Sequence, residues 1–511
     1  MENLIPLFII IPLCTAFLIP IIGRFVKGFS KVISTIALLS LFVLALYYLF
    51  TSNTVTLTDK IGHWEPFNNI PIAIYLVVDG LSGFLLCVIG LIGLLSVVYS
   101  ISYIRIYTAE NNFYALLCLM IAGLNGVVIS GDLFNIYVFL EITVIASYAL
   151  VAFGVEKEEL EASFKYQVLG GIATALILFS IGMIYWYTKT LNLADIGEIL
   201  KSKNDSNIIK FCQLVFIAGF GLKAAIMPFH GWLPDAHSSA PSPISSMLSG
   251  VVIKVAGLYV IFRLFFNMFL ISYDIALVLA VIGTLSMVFG VFLAIGQWDL
   301  KRLLAYSSIS QIGYIVLGIS LGMLILAKGG DKSLAVLAIF GGLFHLINHA
   351  VFKGLLFLNA GAIEYRTGTR DLNQLGGLAE KMPVTSSTSL IASFSISGIP
   401  PFNGFFSKLF IIIAAIKAQY YLLGIIAIIA SIITLAYFLK FQKSVFYGKR
   451  KSENNSIREV PFTMCLSMIL LALLCIGLSS LIIPGVREAV IEPAVNVLIN
   501  ATEYSVNVLS H

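Results

Sequence analysis

Charged side chains are scarce in this sequence. Asp, Glu, Lys and Arg make up 11% of the 511 residues, whereas apolar residues make up 59%. A soluble domain has about 25% charged and about 45–50% apolar residues. The scarcity excludes an ordinary soluble globular protein, because no interior could bury the apolar excess, and it indicates that lipid surrounds much of the surface. The net charge of +5 is small for this length, which argues against nucleic-acid binding.

Metal-binding and redox motifs are also missing. Each of the six cysteines stands alone in an apolar run and none forms a C-x-x-C pair, so the sequence predicts neither an iron–sulfur cluster nor a structural zinc site. Because no haem or dinucleotide motif occurs, we expect no cofactor, no metal and no redox centre in this chain. The first apolar run has no basic region before it and no small-residue cleavage site, and we interpret it as a retained span.

Long apolar runs dominate what is present. A helix needs about 20 mostly apolar residues to cross a bilayer, and that length predicts about fourteen spans. They lie near 3–22, 30–51, 80–102, 113–130, 133–153, 164–187, 208–229, 243–266, 272–296, 303–325, 333–358, 387–415, 421–446 and 461–484. The expected fold is an all-α integral membrane protein. The polar segment 52–79 is predicted to be an ordered outer loop, and the tail 487–511 to be an interfacial amphipathic helix or a frayed end.

The distribution of basic residues predicts the orientation. Connections after odd-numbered spans carry about twice as many Lys and Arg residues as those after even-numbered spans, which favours both termini outside the cell membrane. Spans four to eight and nine to thirteen could form two units of five, and the odd offset would make them an inverted repeat. The predicted divisions are a three-helix region with its outer loop at 1–111, units at 112–266 and 267–446, and a last span with an interfacial tail at 447–511.

Seven ionisable side chains lie well inside these apolar runs. They are Glu141, Lys223, Lys254, His345, His349, Lys353 and Lys408. Each Lys or Glu costs about 2.5–3.5 kcal/mol at the centre of a spanning helix. The lysines and the glutamate together cost roughly 12–18 kcal/mol, which is as large as the net stability of a typical domain. Two explanations stay open: a transport path, or structural pairs and side chains that extend to the interface.

Glu141 lies about eight residues inside span five, and its short side chain cannot reach the interface. A carboxylate at that depth needs a cation or a proton, and Lys223 and Lys254 are the natural partners. At ~5 Å and an effective dielectric of about 20, a Lys–Glu pair is stabilised by about 3 kcal/mol. A small helix motion that separates the pair removes this stabilisation, so a buried lysine can switch between holding and releasing a proton.

The segment FHLINHAVFKGLLFL contains His345, His349 and Lys353 at intervals of four residues. This spacing places them on one helix face in steps of about 6 Å. Histidine titrates near neutral pH and has two ring nitrogens, which favours a proton relay with bridging waters. A metal site and ordinary core histidines are the alternatives, and no third metal ligand of suitable type stands out nearby.

Two spans are interrupted by proline. Span seven has Pro228 shortly after Lys223, and span twelve has Pro400 and Pro401 before Lys408. Broken helices occur in membranes where they line a cavity, so we expect Lys408 to face a hydrated pocket rather than lipid. The first break leads into a polar turn with three further residues, which is either a cytoplasmic mouth or a structural loop. These residues are His230, Asp235 and His237.

Several motifs together resemble the antiporter-like subunit family. It includes the D-type subunits of Mrp sodium/proton antiporters, the proton-pumping membrane subunits of respiratory complex I and their relatives in membrane-bound hydrogenases. The motifs are the Glu141 segment, PFHGWLPDAH at 228–237, APSPISSML at 240–248, RLLAYSSISQIGY at 302–314, FHLINHAVFKGLLFL at 344–358 and GIPPFNGFFSK at 398–408.

The resemblance implies two inverted five-helix units, each with one discontinuous helix, and a pair between Glu141 and Lys223. The further positions that it implies for a hydrated axis are Lys254, His345, His349 and, as the terminal site, Lys408. Other membrane subunits of the same complex are the implied partners. Because APSPISSMLSGVVIK is most similar to the hydrogenase-type subunits, we expect a hydrogenase-like or related redox module among them, with an Mrp complex as the alternative.

The predicted function is proton translocation along a buried axis of Glu, Lys and His side chains in a multisubunit ion-pumping redox complex. Protons are the expected cargo, with sodium moved indirectly if at all. A stand-alone solute transporter is a further alternative, but it needs a polar cavity shaped for a substrate, whereas these groups are spread over five different spans. A purely structural scaffold leaves the buried lysines unexplained.

Overall fold

The chain is helical over most of its length, with a single β-hairpin in the described part. The computed structural model describes residues 4–51, 56–62, 64, 71–203, 207–449 and 457–509. The elements in chain order are α1 (Leu7–Ile22), α2 (Phe29–Thr51), β1 (Leu57–Ile61), β2 (Ile74–Val78), α3 (Gly80–Ile106), α4 (Glu110–Ile129), α5 (Leu133–Val151), α6 (Lys157–Thr188), α7 (Leu193–Lys203), α8 (Asn207–Lys223), α9 (Leu233–Ser239), α10 (Ser242–Met268), α11 (Tyr273–Ile295), α12 (Leu300–Ala327), α13 (Lys332–Thr367), α14 (Pro383–Ser397), α15 (Asn403–Lys417), α16 (Tyr421–Tyr447), α17 (Phe462–Ile482), α18 (Pro484–Val490), α19 (Glu492–Ile499) and α20 (Ala501–Leu509).

Eleven helices in the described ranges are long and apolar enough to cross a membrane. Each coincides with a predicted span. The outer helices α2, α6, α11 and α16 expose large apolar side chains to the surroundings, whereas α10 is enclosed by the other helices. The three remaining predicted spans, 3–22, 208–229 and 387–415, coincide with α1, with α8 and with the pair α14 and α15, which are shorter. The prediction of an all-helical, multi-pass membrane protein is confirmed, and the count of fourteen stays a prediction.

Polar side chains fix several helix starts at the ends of the apolar runs. Asp132 accepts a hydrogen bond from the backbone N–H of Asn135 at 2.8 Å, and Asp299 accepts one from that of Arg302 at 2.9 Å. These caps satisfy backbone donors that the first helical turn leaves free. Between α11 and α12 the backbones approach closely, because a Cβ on Gly290 would lie 2.5 Å from the backbone nitrogen of Ser310. Small residues permit such approach in membrane proteins.

The chain leaves helical geometry at both predicted breaks. After α8 ends at Lys223, residues 224–232 are irregular until α9 begins, and Ala225 has a φ of 54°. After α14, Gly398 has a φ of 79° and residues 398–402 separate it from α15. Glycine adopts this left-handed geometry without a steric penalty. Pro228, Pro400 and Pro401 all lie in these irregular segments.

Helix α10 is continuous but contains three wide turns, at Leu248–Val252, Lys254–Tyr259 and Leu264–Met268. In such turns the backbone hydrogen bonds run from residue i to residue i+5, and short stretches of this kind are frequent at functional sites. The sequence showed no sign of them. They matter because they change which backbone carbonyls are free to accept hydrogen bonds from side chains.

The predicted outer loop at 52–79 contains the antiparallel hairpin of β1 and β2, in which Leu57 pairs with Val78 and Ile61 with Ile74. Parts of this loop, including Pro66, lie outside the described residues. The amphipathic helix α7 follows α6 and was not predicted.

The tail forms three short helices, α18 to α20, that pack against the protein as far as Leu509; His511 lies outside the described residues. Tyr504 of α20 is buried with its ring 5.0 Å from the Arg263 guanidinium. Arg263 itself forms a buried pair with Asp79, with nitrogen–oxygen distances of 2.6 and 2.9 Å. The tail therefore covers a buried ion pair at one end of α10.

Candidate functional site

The six buried cations and histidines identified in the apolar runs all lie inside the helix bundle. They are Lys223, Lys254, His345, His349, Lys353 and Lys408, and none has more than 3% of its surface exposed. They belong to α8, α10, α13 and α15, so four different helices contribute. Glu141 on α5 is half-buried. We call these seven residues, with the polar groups that connect them, the buried axis.

One end of the buried axis is a three-residue link between α5, α6 and α8. The Lys223 ammonium donates to the hydroxyl of Thr174 at 3.0 Å, and that hydroxyl lies 2.7 Å from Glu141 Oε1. The same hydroxyl lies 2.9 Å from the backbone oxygen of Gly170. A hydroxyl has one hydrogen to donate, so Thr174 donates either to the carboxylate or to the carbonyl at any moment. Lysine and glutamate are therefore joined through a group that can rotate.

The centre of the axis runs from α10 to α12 and α13. In the wide turns of α10, the Lys254 ammonium donates to the backbone oxygen of Ser249, and the Ser249 hydroxyl lies 2.9 Å from that of Ser308 on α12. The Ser308 hydroxyl donates to the backbone oxygen of Leu304 at 3.0 Å, and the Lys353 ammonium donates to the same oxygen at 2.7 Å. Each lysine is thus held by a backbone oxygen, and the hydroxyls of Ser249 and Ser308 lie between these two carbonyl groups.

His349 lies between the lysines and the far end of the axis. Lys254, Lys353 and His345 are all close enough to interact with it electrostatically. Neither of its ring nitrogens has a hydrogen-bond partner among the described residues. Buried polar atoms are nearly always paired in native proteins, with protein groups or with ordered water.

His345 connects the centre to the second break. Its Nδ1 lies 2.9 Å from the Ser407 hydroxyl on α15, and its Nε2 lies 3.2 Å from Gln311 Oε1 on α12. Ser407 is the chain neighbour of Lys408. The ring of Tyr314 packs between His345 and Lys408. Its centroid lies 5.4 Å from that of the His345 ring and 4.8 Å from the Lys408 ammonium.

The helix break positions the last lysine. The Lys408 ammonium donates to the backbone oxygen of Ile396, at the end of α14, at 2.7 Å and to the Ser431 hydroxyl on α16 at 3.2 Å. The last carbonyls of a helix have no partner within the helix, so they are available to a cation. The break therefore supplies the acceptor that holds this charge in the interior.

The side chains of the three polar-turn residues lie in different environments. His237 is fully buried, and its ring stacks on Phe357 of α13 with the centroids 4.6 Å apart. Asp235 lies near the surface, where its carboxylate pairs with Lys165 at 3.1 Å and with Arg302 at 2.7 Å. His230 is partly exposed at the end of the irregular segment.

Asp235 lies outside the membrane-crossing helices, so its protonation responds to the solvent. Burial raises its pKa, but the hydrogen bonds from Lys165 and Arg302 outweigh that effect and hold the pKa below its ordinary value of 3.8. Asp235 is therefore a charged anchor for two basic side chains at neutral pH.

A second ionic cluster, which sequence reasoning missed, lies beside this turn. Lys301 is buried and pairs with Glu364 at 2.8 Å, and Arg370 pairs with Asp299 at 3.2 Å. A cavity of about 690 Å³ is lined in part by Glu364, Asp299 and Arg370. Lys301 is also close enough to His237 to interact with it electrostatically. Thr174, Ser249, Ser308 and Gln311 were likewise not identified, since isolated hydroxyl and amide groups in apolar runs carry no signal of their own.

Comparison with known proteins gives one family. The family described as NADH:quinone oxidoreductase/Mrp antiporter, transmembrane, matches residues 130–434, a range that contains the whole buried axis. The N-type subunit of the NADH-quinone oxidoreductase of Desulforudis audaxviator is 35% identical over 451 residues, which are 86% of this chain and 86% of that protein. The D-type subunit of the Na(+)/H(+) antiporter of Alkalihalophilus pseudofirmus is 31% identical over 462 residues, which are 88% of each chain.

Two solved structures are similar over nearly the full length. A chain of the Mrp complex from a Dietzia species aligns with a TM-score of 0.89 at 26% identity, and the alignment covers 99% of each chain. A chain of the membrane-bound sulfane sulfur reductase, an archaeal respiratory membrane complex, aligns with a TM-score of 0.89 at 28% identity, with 99% of this chain and 100% of that chain covered.

Proposed function

This chain belongs to the NADH:quinone oxidoreductase/Mrp antiporter transmembrane family, and from that premise we propose that it moves protons along the buried axis as the antiporter-like subunit of a multisubunit ion-pumping complex. The observation that carries the proposal is the set of six buried lysines and histidines on four helices, five of which contact hydroxyl, amide or backbone oxygen groups in the interior. Ionisable groups are costly to bury at membrane depth, so their presence there indicates a function.

The link through Thr174 supplies a switch. With the ammonium of Lys223 and the carboxylate of Glu141 at a separation of about 5 Å and an effective dielectric of about 20, their attraction is about 3 kcal/mol. A shift of α5 that carries the Glu141 carboxylate away from Lys223 weakens the hold on the ammonium proton by up to that amount, a factor of about 100 in equilibrium. Motion of a neighbouring subunit against α5, where Glu141 is half-buried, provides such a shift.

Transfer along the rest of the axis uses groups that both donate and accept. The amide oxygen of Gln311 only accepts, so Nε2 of His345 carries a hydrogen, and Nδ1 is the nitrogen that can exchange a proton with the Ser407 hydroxyl. His349 has two ring nitrogens open to bridging water between Lys254 and Lys353. From His345 the path continues past Ser407 to Lys408.

We propose the cytoplasmic mouth of the path at the polar turn. Asp235 and its basic partners anchor the surface there, while His237 is fully buried and close enough to Lys301 and Lys353 to interact with both electrostatically. The cavity of about 690 Å³ at Glu364 gives water access to this side. His230 is at the rim of the same turn.

The architecture that we propose has fourteen crossings and two inverted units, at 112–266 and 267–446, flanked by a three-helix region at 1–111 and a last span with tail at 447–511. This architecture is supported by the position of the broken helix within each unit. Counted in crossings, the broken helix is the fourth in each unit, and the lysine precedes the break in the first unit but follows it in the second. The shared position of the break supports a repeat of five crossings, and the odd number makes the second copy enter the membrane from the opposite side; the two lysines are not equivalent positions of that repeat. Both termini would then lie outside the cell membrane.

The assembly that we favour is a redox complex of the membrane-bound hydrogenase type, in which this chain carries no redox centre. The similarity to a chain of an archaeal respiratory membrane complex supports it. An Mrp antiporter is the second candidate, and the D-type relative and the Dietzia structure favour it. Identification of the subunits that co-purify with the native complex distinguishes the two, because redox subunits occur in only the first.

The test of the function is proton flux in vesicles that contain the purified complex. Lys223→Ala and Glu141→Ala should each abolish flux without loss of assembly, because either change removes one partner of the switch. Lys417→Ala, which changes an exposed lysine at the end of α15 and outside the buried axis, is the control. Wild-type flux from either axis variant refutes the proposal.

A further inference from the structure

A cavity of about 620 Å³ opens between the end of α11 and the last turns of α16. Its walls come from Trp298, which follows α11, from Leu372 to Leu375, and from the segment Ala436 to Lys449. None of the residues of the buried axis or of the polar turn lines it. The function proposed above leaves this cavity without a role.

One wall is basic and in part preorganised. Lys440, Lys443 and Lys449 line the cavity, and no carboxylate of the described residues does. The Lys440 ammonium donates to the backbone oxygens of Ile295 at 2.8 Å and Gln297 at 2.7 Å, and it lies 4.2 Å from the centroid of the Trp298 ring. This ammonium is therefore held in one place at no further entropic cost, with one of its three donors still free.

The other wall is apolar and faces the surroundings. Leu439 and Trp298 both line the cavity, and each is 49% exposed. Further along the same surface, Phe292 of α11 and Ile432 of α16 are exposed on faces that contact lipid in a membrane protein. Tryptophan and lysine at the end of an apolar helix face are typical of the boundary between acyl chains and headgroups.

We propose that this cavity binds the phosphate of an anionic phospholipid, with Lys440, Lys443 and Lys449 around the headgroup and Leu439 and Trp298 against the acyl chains. Lysine binds phosphate as a point charge, and basic pockets between spanning helices are typical sites for anionic headgroups. A free phosphate ion has the same charge chemistry as the headgroup but no acyl chain to contact the apolar wall. The exposed apolar wall therefore favours a phospholipid over a free phosphate ion.

The experiment measures lipid binding to the full chain in its detergent-purified complex by native mass spectrometry. Phosphatidylglycerol, phosphatidylcholine and inorganic phosphate are titrated separately. The variant is the double substitution K443Q/K449Q, which leaves the structurally engaged Lys440 in place. The control is K189Q/K417Q, which removes the same charge from exposed lysines at other helix ends. We expect the variant to bind phosphatidylglycerol about 25-fold more weakly, since each lysine near an anionic headgroup contributes about a fivefold change.

The control should bind phosphatidylglycerol as the wild type does, and binding of phosphatidylcholine should be weak and equal in all three proteins. Equal binding of phosphatidylglycerol by the variant and the wild type overturns the proposal. So does displacement of the lipid by inorganic phosphate at millimolar concentration, which assigns the cavity to the free ion. Loss of a co-purifying subunit in the variant, with lipid binding unchanged, assigns it to a protein contact instead.

Discussion

Replacement of Thr174 by valine tests whether the hydroxyl between lysine and glutamate is part of the proton path. Valine has nearly the same shape but neither accepts from the Lys223 ammonium nor donates to Glu141, so two hydrogen bonds at 3.0 and 2.7 Å are lost. A hydrogen bond to a charged group contributes about 1.5–3 kcal/mol. Each 1.36 kcal/mol is a factor of ten in rate. If loading of Lys223 limits turnover, Thr174→Val lowers proton flux about 10- to 150-fold.

The assay is proton uptake into vesicles that contain the reconstituted complex, followed with an enclosed pH-sensitive dye. Thr174→Ser keeps the hydroxyl and removes only a methyl group, so its flux should stay within about threefold of the wild type. Thr188→Val makes the same change at the end of the same helix, where the hydroxyl bonds only to backbone oxygens, and should leave flux unaltered. If Thr174→Val and Thr174→Ser have equal flux, the hydroxyl is not a link in the path and the switch described above is refuted.

Three further predictions follow from other contacts. Asp79→Ala leaves the Arg263 guanidinium buried without its carboxylate, so the free energy of unfolding should fall by about 3–5 kcal/mol in a denaturant titration; an unchanged midpoint contradicts the buried pair. Lys254→Ala and Lys408→Ala should each reduce proton flux by about 100-fold or more without loss of assembly, and wild-type flux removes the residue concerned from the axis. The two basic neighbours of Asp235 hold its pKa below 3.8, so the ionised carboxylate stabilises the fold above that pH. This contribution is lost as the pH falls through the lowered pKa. Asp235→Asn should therefore lower the melting temperature at pH 7, and the difference from the wild type should shrink below pH 3.8.

The sequence predicted what depends on local composition. Apolar runs of sufficient length identified the membrane-crossing helices, and proline placed the irregular segments at 224–232 and 398–402. The family resemblance, based on motifs such as PFHGWLPDAH, is confirmed by the match over 130–434. These features follow from residues that are close in the chain, where one sequence contains all the information that is needed.

Other features depend on contacts between distant residues and were not predicted. Thr174 is one hydroxyl on an otherwise apolar stretch of α6, and only the packing of three helices brings it between Lys223 and Glu141. The pair of Lys301 with Glu364 joins two helix ends in the same way. The wide turns around Lys254 are a further case, because they contain only Gly250 and Gly257 as unusual residues, and glycine is also frequent in regular spanning helices.

The buried Arg263 differs from the cations of the buried axis in a way that separates support from transport. Arg263 makes a bidentate pair with Asp79 beneath Tyr504, and a guanidinium does not lose its proton under physiological conditions, so that pair can only hold the fold together. Every cation of the buried axis is a lysine or a histidine, which can release a proton, and Lys223 reaches its carboxylate through a hydroxyl rather than directly. A scaffold would gain from direct pairing at each position, because direct pairs offset more of the desolvation cost. The use of groups that can be deprotonated, joined by links that can rotate, is what a proton path requires and a scaffold does not.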